Sequence, residues 1–510
     1  MSDAAHDRVN RWPITISIML ATVMNSLDTT IANVALPHIQ GSVSASSDQI
    51  TWVLTSYIVA AAIMTPLSGW LADRVGRKRI FLLSIGGFTL ASMLCGIASS
   101  LPEIVIFRLL QGVAGAALIP LSQAVLLDIY PKEQHGQAMA IWGAGAILGP
   151  ILGPALGGLL TQDFSWRWCF YINLPVGILA FLGVWFFISG DRSPRAKPFD
   201  FLGFGMLSLF IGAMQLLLDR GPGQDWFSSP EITTYAIVAA ITFWVFVSHT
   251  VTAEHPFFDR RLARDRNFLT ASIFGFFVGV LLFSTMALLP PMLQVLMNYP
   301  VLTSGLVTMP RGIGSWIAMF FVGRLIGRVD TRFILLFGLA LNAVALYQMM
   351  HFDLSMTSRS VIVSGIIQGF GIGFIFVPLS TLAFATIPPV LRPEGSSLYT
   401  LVRNMGSAVG ISMMQALVVA NTQTMHASLA AKVIPSDPTV RAGLSAAMNP
   451  ATAAGATALN NELTRQASMV AYIDDFRLMF FITLACVPML LLMRSPKREP
   501  SGEPLHAAID

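Results

Sequence analysis

Charged residues are scarce in this chain. Asp, Glu, Lys and Arg make up 11% of its 510 residues, hydrophobic residues make up 54%, and the mean hydropathy is +0.67. A soluble domain carries about a quarter charged residues, so this chain could not cover a water-facing surface and needs lipid around it. Because a helix pairs its backbone amides internally, the composition predicts an all-α polytopic membrane protein.

Several functional motifs are also missing. There is no Gly-Lys dipeptide, so no phosphate-binding loop of that type exists and ATP drive is not expected. The sequence has no His-Glu-x-x-His or Gly-x-Ser-x-Gly motif of an enzyme, and no basic run with interleaved aromatics that would indicate nucleic-acid binding. Cys95, Cys169 and Cys486 lack metal or redox spacing. We therefore expect them to be packing residues, and we expect no metal or cofactor.

Long apolar runs fill most of the sequence. About 20 apolar residues cross a bilayer as a helix, and the first run is too long for a signal peptide. The runs predict fourteen spans, at 14–36, 51–71, 80–99, 103–126, 137–160, 168–189, 201–218, 232–250, 268–290, 303–322, 333–350, 360–386, 395–420 and 477–493.

The basic residues predict the orientation of these spans, because Lys and Arg of short loops stay on the cytoplasmic side. With the N-terminus inside, 21 basic residues fall in cytoplasmic segments, and three, Arg167, Arg220 and Arg359, fall in short outer loops. Both termini are therefore predicted to be cytoplasmic. The long polar segment 421–476 lies outside; its length suggests helical structure or a docking surface, and the alternative is a flexible insertion.

The chain also repeats itself. Residues 69–78 resemble residues 323–332 at an offset of 254, and Gln111-Gly112 resembles Gln368-Gly369 at an offset of 257. The repeat predicts two homologous six-helix halves, which place a central site at their interface and rock around it. The predicted parts are an N-terminal bundle at 1–190, two inserted spans at 191–266, a C-terminal bundle at 267–494 and a tail at 495–510.

Four motifs carry a family resemblance. They are the first-span sequence 27–37, the loop sequence 73–79 between spans 2 and 3, the span 4 sequence 108–112 and the span 5 sequence 145–158. Together they resemble the major facilitator superfamily, and within it the fourteen-span drug:proton antiporters of the EmrB and QacA type. The loop motif at 73–79 alone is compatible with import as well, whereas the span 5 motif is more typical of export.

The resemblance implies the major facilitator fold of two six-helix bundles plus two inserted helices, in a bacterial inner membrane. It implies efflux of hydrophobic or amphipathic compounds in exchange for protons. The long outer segment 421–476 resembles that of EmrB-like pumps, which implies a periplasmic adaptor and an outer-membrane channel as partners. The alternatives are a proton-coupled transporter of one specific metabolite on the same fold, and a membrane sensor that has lost transport.

Asp28 and Arg108 are the candidates for proton coupling. An intramembrane carboxylate is costly and usually faces a functional cavity. At about 1.5 Å per residue, Asp28 lies roughly 12 Å and Arg108 roughly 8 Å below the outer ends of their spans, which allows them to pair. Burial disfavours a charged carboxyl and a nearby arginine favours it, so rocking halves could load and release a proton. The alternatives are a static ion pair, and an arginine that bonds carbonyl groups.

Two motifs are candidates for gating. The acid and bases between spans 2 and 3 can bridge to a neighbouring helix end, although they also satisfy the positive-inside rule alone. Glycines four residues apart in span 5 allow close helix approach, and its prolines favour a kink at a half–half contact. The predicted gating residues are Asp73, Arg74, Gly76, Arg77, Gly145, Gly149, Pro150, Gly153 and Pro154.

A deformable pocket is expected from the 25 methionines and 34 phenylalanines, because Met adapts to many shapes. Each candidate could instead be an ordinary core or lipid-facing residue. The predicted substrate-binding residues are Met24, Asn25, Asn33, Trp52, Tyr57, Gln111, Gln123, Trp142, Met286, Gln294, Gln368, Phe374, Arg403 and Asn404.

Overall fold

The computed structural model describes residues 11–131, 134–188, 198–433, 448–449 and 452–493. The expectations for the N-terminal ten residues and for the tail 495–510 lie outside the described residues. So do those for the linker residues 189–197 and for residues 434–447 of the long outer segment.

Helices make up the regular secondary structure of the described residues, and no β-strand occurs there. The first half of the chain contains α1 Arg11–Ser42, α2 Trp52–Met64, α3 Leu67–Val75, α4 Arg77–Ile97, α5 Leu101–Gly115, α6 Leu118–Ile129, α7 His135–Asp163 and α8 Asn173–Phe187. The remainder contains α9 Phe201–Arg220, α10 Pro230–Thr252, α11 Arg266–Pro291, α12 Val301–Leu325, α13 Thr331–Met349, α14 Ser358–Ala385, α15 Arg392–Lys432 and α16 Ala453–Cys486.

The helices confirm the all-α membrane architecture. Within the described ranges, twelve helical stretches are long and apolar enough to cross a bilayer, and α2 with α3 makes a thirteenth if that bent pair is one span. Helix α16 is not among them, because Asp474, Asp475 and Arg477 interrupt its apolar stretch. The count of fourteen is compatible with this structure and stays a prediction.

Several predicted spans are broken or bent. Helices α2 and α3 meet at 56° across Thr65 and Pro66, since proline has no amide hydrogen to continue the helix. The predicted span 103–126 is divided between α5 and α6. Helix α11 ends in Pro290-Pro291 and continues as a π-helical turn, Met292–Leu296. Such breaks give a membrane helix points where its direction changes.

Packing contacts organise the bundle. Helix α1 packs against α7 and α8, α2 against α5, and α4 against α5 and α8. In the second half, α12 packs against α14, α11 against α15, and α13 against α14 and α16. Helix α7 also packs along α12, and α15 contacts α3 and α6. The helices α9 and α10 pack on each other, and α9 reaches both α2 and α15.

Two glycines with positive φ mark one end of this bundle. Gly76, with φ of 99°, joins α3 to α4, and Gly327, with φ of 89°, follows α12. L-residues rarely adopt that backbone region, so glycine is favoured at both turns. We call the end of the bundle that contains these turns the basic end. At the offset of 254, Gly327 stands opposite Asp73, and if Gly327 is instead matched with Gly76, Arg324 does, so the second copy of the motif lacks the acid in either register.

Candidate functional site

A cavity of about 550 Å³ lies among α1, α2, α7, α9, α11, α12 and α15. Its wall is mostly apolar, with a few amide, hydroxyl and charged groups, and its size lies within the range of small-molecule sites. The inserted helix α9 contributes five of the lining residues, Ile211, Met214, Gln215, Leu218 and Asp219. The insert thus forms part of the wall, which its position between the two repeats did not indicate.

Six of the predicted substrate-binding residues line this cavity: Asn25, Tyr57, Trp142, Met286, Arg403 and Asn404. The Trp142 indole donates a hydrogen bond to the Ser122 hydroxyl at 2.7 Å, and its ring stacks on Phe376 with the centroids 5.7 Å apart. Phe376 also lines the cavity. Trp142 therefore presents a fixed aromatic surface to anything bound there.

The other eight candidates do not line the cavity: Met24, Asn33, Trp52, Gln111, Gln123, Gln294, Gln368 and Phe374. Asn33 and Trp52 are exposed, whereas Met24 and Phe374 are packed in the core. The three buried glutamines connect helices. Gln368 donates to the Thr285 hydroxyl at 3.3 Å, and Gln123 accepts from the Ser396 hydroxyl at 2.8 Å.

Gln111 belongs to a buried cluster around Asp28 and Arg108, each 1% exposed. An Arg108 Nη1–H group donates to Asp28 Oδ2 at 2.7 Å, and Gln111 and Asn173 donate to Oδ1 at 2.9 and 2.8 Å. Arg108 Nε also donates to the carbonyl of Val53 at 3.1 Å. Residues from α1, α5, α2 and α8 thus meet at one carboxylate.

Asn173 and Ser92 complete the cluster and were not among the predicted site residues. The Asn173 amide donates to the Ser92 hydroxyl at 2.9 Å while it also donates to Asp28. In the sequence, Asn173 is marked only by its position in the tripeptide Asn173-Leu174-Pro175 near the start of an apolar run. Ser92 lies in an otherwise apolar span and gave no signal.

Tyr57 separates this cluster from the cavity. The Arg108 guanidinium carbon lies 4.3 Å from the centroid of the Tyr57 ring, and the Asn25 amide donates to the Tyr57 hydroxyl at 3.1 Å. Tyr57 and Asn25 both line the cavity, whereas Asp28 and Arg108 do not. One aromatic ring therefore stands between the ion pair and the central space.

The glycines of the span 5 motif face α1. A Cβ added at Gly149 would overlap the backbone of Ser26, and one added at Gly153 would overlap Thr30. The Ser26 and Thr30 hydroxyls donate to backbone carbonyls of α7, at residues 146 and 149, at 2.5 and 3.0 Å. Gly145 likewise faces Met19 of α1. The glycine face thus packs on the helix that carries Asp28.

The opposite face of α7 makes the contact between the two halves. A Cβ added at Gly312 of α12 would overlap Ile151 of α7, and Pro154 lies near Gly305. Pro150 and Pro154 also line the cavity. Helix α7 therefore packs with one face on its own half and with the other on the second half.

At the basic end, ion pairs at Asp128 join the two halves. Arg77 and Arg392 both form ion pairs with Asp128, and the Arg392–Asp128 distance is 3.0 Å. Arg392 begins α15 of the second half and also donates to the carbonyl of Leu127 at 2.9 Å. Asp128, at the end of α6, was not among the predicted gating residues. Its sequence signal was an acid near the end of a predicted span, which does not identify a partner 264 residues away.

The predicted gating residues Asp73 and Arg74 lie on α3, which packs against the helix that carries Asp128. Arg74 is exposed, and its guanidinium carbon lies 5.0 Å from the Trp70 ring centroid. Asp73 is half-buried. Of the bases in the motif, Arg77 shares the Asp128 carboxylate with Arg392 of the second half.

Comparison with known proteins identifies the family to which this architecture belongs. The sequence pattern of the major facilitator superfamily matches residues 18–411. The multidrug export protein EmrB of Escherichia coli K12 is 35% identical over 431 residues, which cover 84% of each chain. The fatty acid resistance protein FarB of Neisseria gonorrhoeae is 32% identical over 96% of this chain and 97% of its own.

Solved structures agree on the fold. The human organic anion transporter MFSD10 superposes with a TM-score of 0.60 at 15% identity, over 93% of this chain and 99% of its own. The proton:xylose symporter XylE superposes with a TM-score of 0.60 at 12% identity, over 94% of this chain and 96% of its own. On the family match, the sequence identities and this shared fold, the chain belongs to the major facilitator superfamily, among its EmrB-like drug efflux transporters.

Proposed function

We propose that this protein exports hydrophobic or amphipathic compounds across a bacterial inner membrane in exchange for protons. The names of EmrB and FarB, which concern multidrug export and fatty acid resistance, support the export of such compounds. The observation that carries proton coupling is the buried Asp28–Arg108 pair, one aromatic ring away from the cavity.

The cluster allows Asp28 to respond to conformation. In this arrangement the carboxylate accepts hydrogen bonds from Arg108, Gln111 and Asn173. Loading a proton on Asp28 would leave Arg108 buried without a counter-charge, which is strongly unfavourable. Protonation must therefore accompany a movement that separates the pair, and deprotonation must accompany its return.

The movement we propose is alternating access, with the basic end facing the cytoplasm as its many Lys and Arg residues favour. Helix α6 runs from Ile119, which lines the cavity, to Asp128 at the basic end. The Gln123–Ser396 hydrogen bond and the Asp128–Arg392 ion pair join it to α15 on that side, and in this proposal they close the cavity there. Opening to the cytoplasm requires these contacts to break.

The test of proton coupling is Asp28→Asn, which keeps an oxygen acceptor but cannot ionise. Inverted membrane vesicles that contain the wild type are first given an acidic interior. Adding a compound to which the wild type confers resistance should then cause protons to leave the vesicles in exchange for the compound. We expect Asp28→Asn to abolish this release while the protein still folds and inserts. Asp163→Asn, the same change at an exposed position at the end of α7, is the matched control and should behave like the wild type.

Equal proton release by Asp28→Asn and wild type would refute the role of Asp28. The same assay separates the alternative of a metabolite importer on this fold. A proton-coupled importer would carry compound and protons in the same direction, so compound leaving the cytoplasm would not exchange for protons.

The long outer segment fits a docking role. Helix α15 has 41 residues, about 60 Å, which is twice the hydrocarbon thickness of about 30 Å. Helix α16 begins at Ala453, far before its apolar part, and its Asn460 lies 3.1 Å from His426 of α15. We propose that this pair of helical extensions contacts a periplasmic adaptor, which would connect the pump to an outer-membrane channel.

A further inference from the structure

Two arginines line the cavity without a carboxylate partner. Arg311 of α12 is 7% exposed and Arg403 of α15 is 8% exposed. Among the described residues, neither forms an ion pair. Arg311 donates to the carbonyl of Leu282 at 3.0 Å, and the Arg403 guanidinium carbon lies 5.4 Å from the Phe376 ring centroid. The Nε–H group of Arg403 has no hydrogen-bond partner.

Both positive charges are costly where they stand. A guanidinium stays protonated in proteins, and burying a charge without a counter-charge costs several kcal/mol or more. One carbonyl and one aromatic face offset only a part of this cost. The remaining donors lie at the wall of a cavity that is large enough for a drug-sized molecule, so a molecule bound there can supply the missing negative charge.

We propose that Arg311 and Arg403 bind the anionic head group of an amphipathic organic anion, such as a carboxylate or a sulfonate. This inference rests on the proposed function, in which the cavity holds the exported compound. Guanidinium groups bind such heads through short, charge-assisted hydrogen bonds. The apolar part of the anion would lie against Phe283, Met286 and Met309, which line the same cavity.

The remaining charges around the cavity favour an anion over a cation. The third charged residue of the wall is Asp219 of α9, which is exposed and accepts a hydrogen bond from Thr55. Asp28 lies behind Tyr57 and is neutralised by Arg108. The wall therefore carries two buried positive charges against one exposed negative charge that already has a partner.

The test compares two probes of equal chain length, decanesulfonate and decyltrimethylammonium, which are permanently charged and opposite in sign. Binding is measured by equilibrium dialysis on the purified full-length protein without a proton gradient. We expect wild type to bind decanesulfonate at least tenfold more tightly than decyltrimethylammonium. Arg311→Gln and Arg403→Gln should each weaken decanesulfonate binding at least tenfold and leave decyltrimethylammonium binding unchanged.

Two controls keep the result interpretable. Arg359→Gln, at an exposed position in the first turn of α14, should bind both probes as wild type does. If a glutamine variant fails to fold, Arg311→Lys and Arg403→Lys retain the charge and should keep the preference for the anion. Because binding is measured without a proton gradient, it does not depend on proton coupling, which separates a failure of coupling from a failure of the anion site.

Three outcomes would overturn the proposal. The first is wild type that binds the cation as tightly as the anion, or binds neither probe. The second is a loss of both probes together in the glutamine variants, which would show that the arginines brace helices. The third is a loss of anion binding in the Arg359→Gln control.

Discussion

Replacing Gly149 with alanine tests the packing on which the proton site depends. The added Cβ would lie about 1 Å inside ordinary contact distance of the Ser26 backbone, and backbone cannot rotate away as a side chain can. Helices α1 and α7 would have to separate by a similar amount. Overpacking of this kind costs about 1–3 kcal/mol.

The separation would also disturb the Asp28 cluster. Ser26 precedes Asp28 by two residues, and its hydroxyl is held on α7 by a 2.5 Å hydrogen bond. A shift of about 1 Å is enough to break a hydrogen bond of ordinary length, because such bonds weaken beyond about 3.2 Å. We therefore expect Gly149→Ala to lower both the thermal stability and the export activity.

Gly158→Ala is the matched control, since it lies on the same helix and a Cβ there would meet nothing within 4 Å. Alanine favours a helix over glycine by up to about 1 kcal/mol at both positions, so the difference between the two variants isolates the contact with α1. Melting in detergent, followed by size-exclusion chromatography, and resistance of expressing cells are the measurements. Equal melting temperatures and equal resistance for the two variants would refute the reasoning.

Two further predictions concern the ends of the bundle. Asp128→Asn should weaken the ion pair with Arg392 at the basic end and open the cavity more often toward the cytoplasmic side. A cysteine introduced at Thr400 in the cavity wall should then react faster with a maleimide in inverted vesicles. The same reaction rate in the Asp163→Asn control would contradict a role of Asp128 in closing the cavity. Replacing residues 425–460 with a short Gly-Ser linker should preserve transport in vesicles and abolish resistance in double-membrane cells, because adaptor docking is lost. Equal loss in both settings would contradict docking.

The sequence predicted the acid–arginine pair because helix geometry determines depth. Rise per residue places Asp28 and Arg108 at similar levels, and in an apolar bundle opposite charges at one level find each other. Their distance of 2.7 Å agrees with this prediction. The role of the pair in proton transfer stays a prediction.

Lateral contacts between helices were not predictable in this way. Whether Gln111 faces Asp28 or the cavity depends on the rotation of α5 about its axis, which a single polar residue in an apolar run does not determine. Asp128 shows the same limit over a longer distance. Its partner Arg392 is near it only because α15 packs on α6, and that contact depends on how the two halves meet.

The inserted helices show that chain order does not reveal which helices line a cavity. Spans 7 and 8 stand outside the repeat, so the repeat did not indicate where either one lies in the bundle. Helix α9 packs between α2 and α15 and lines the cavity, whereas α10 packs mainly on α9 and has few buried residues. Both helices are similarly apolar, so composition alone could not distinguish the one that faces the cavity.

Alignment of the two repeats shows that charged residues are distributed unequally between the halves. At the offset of 257, Thr285 and Gly365 stand where Asp28 and Arg108 stand, while Gln368 keeps the glutamine and donates to Thr285 as Gln111 does to Asp28. At these positions the second half thus keeps the contact between helices and lacks both charges.

Its arginine lies instead on α12, where Arg311 packs beside Gly365 and reaches the cavity. In the first half, Arg108 pairs with the carboxylate of Asp28. In the second half, Arg311 forms no ion pair with any described residue, so it can bind a carboxylate or sulfonate from outside the chain. The proposed proton site therefore lies in the first half, and the two arginines facing the cavity belong to the second. Coupling between proton and cargo must pass through the contacts shared by the halves, along α7 and α12 and across the ring of Tyr57.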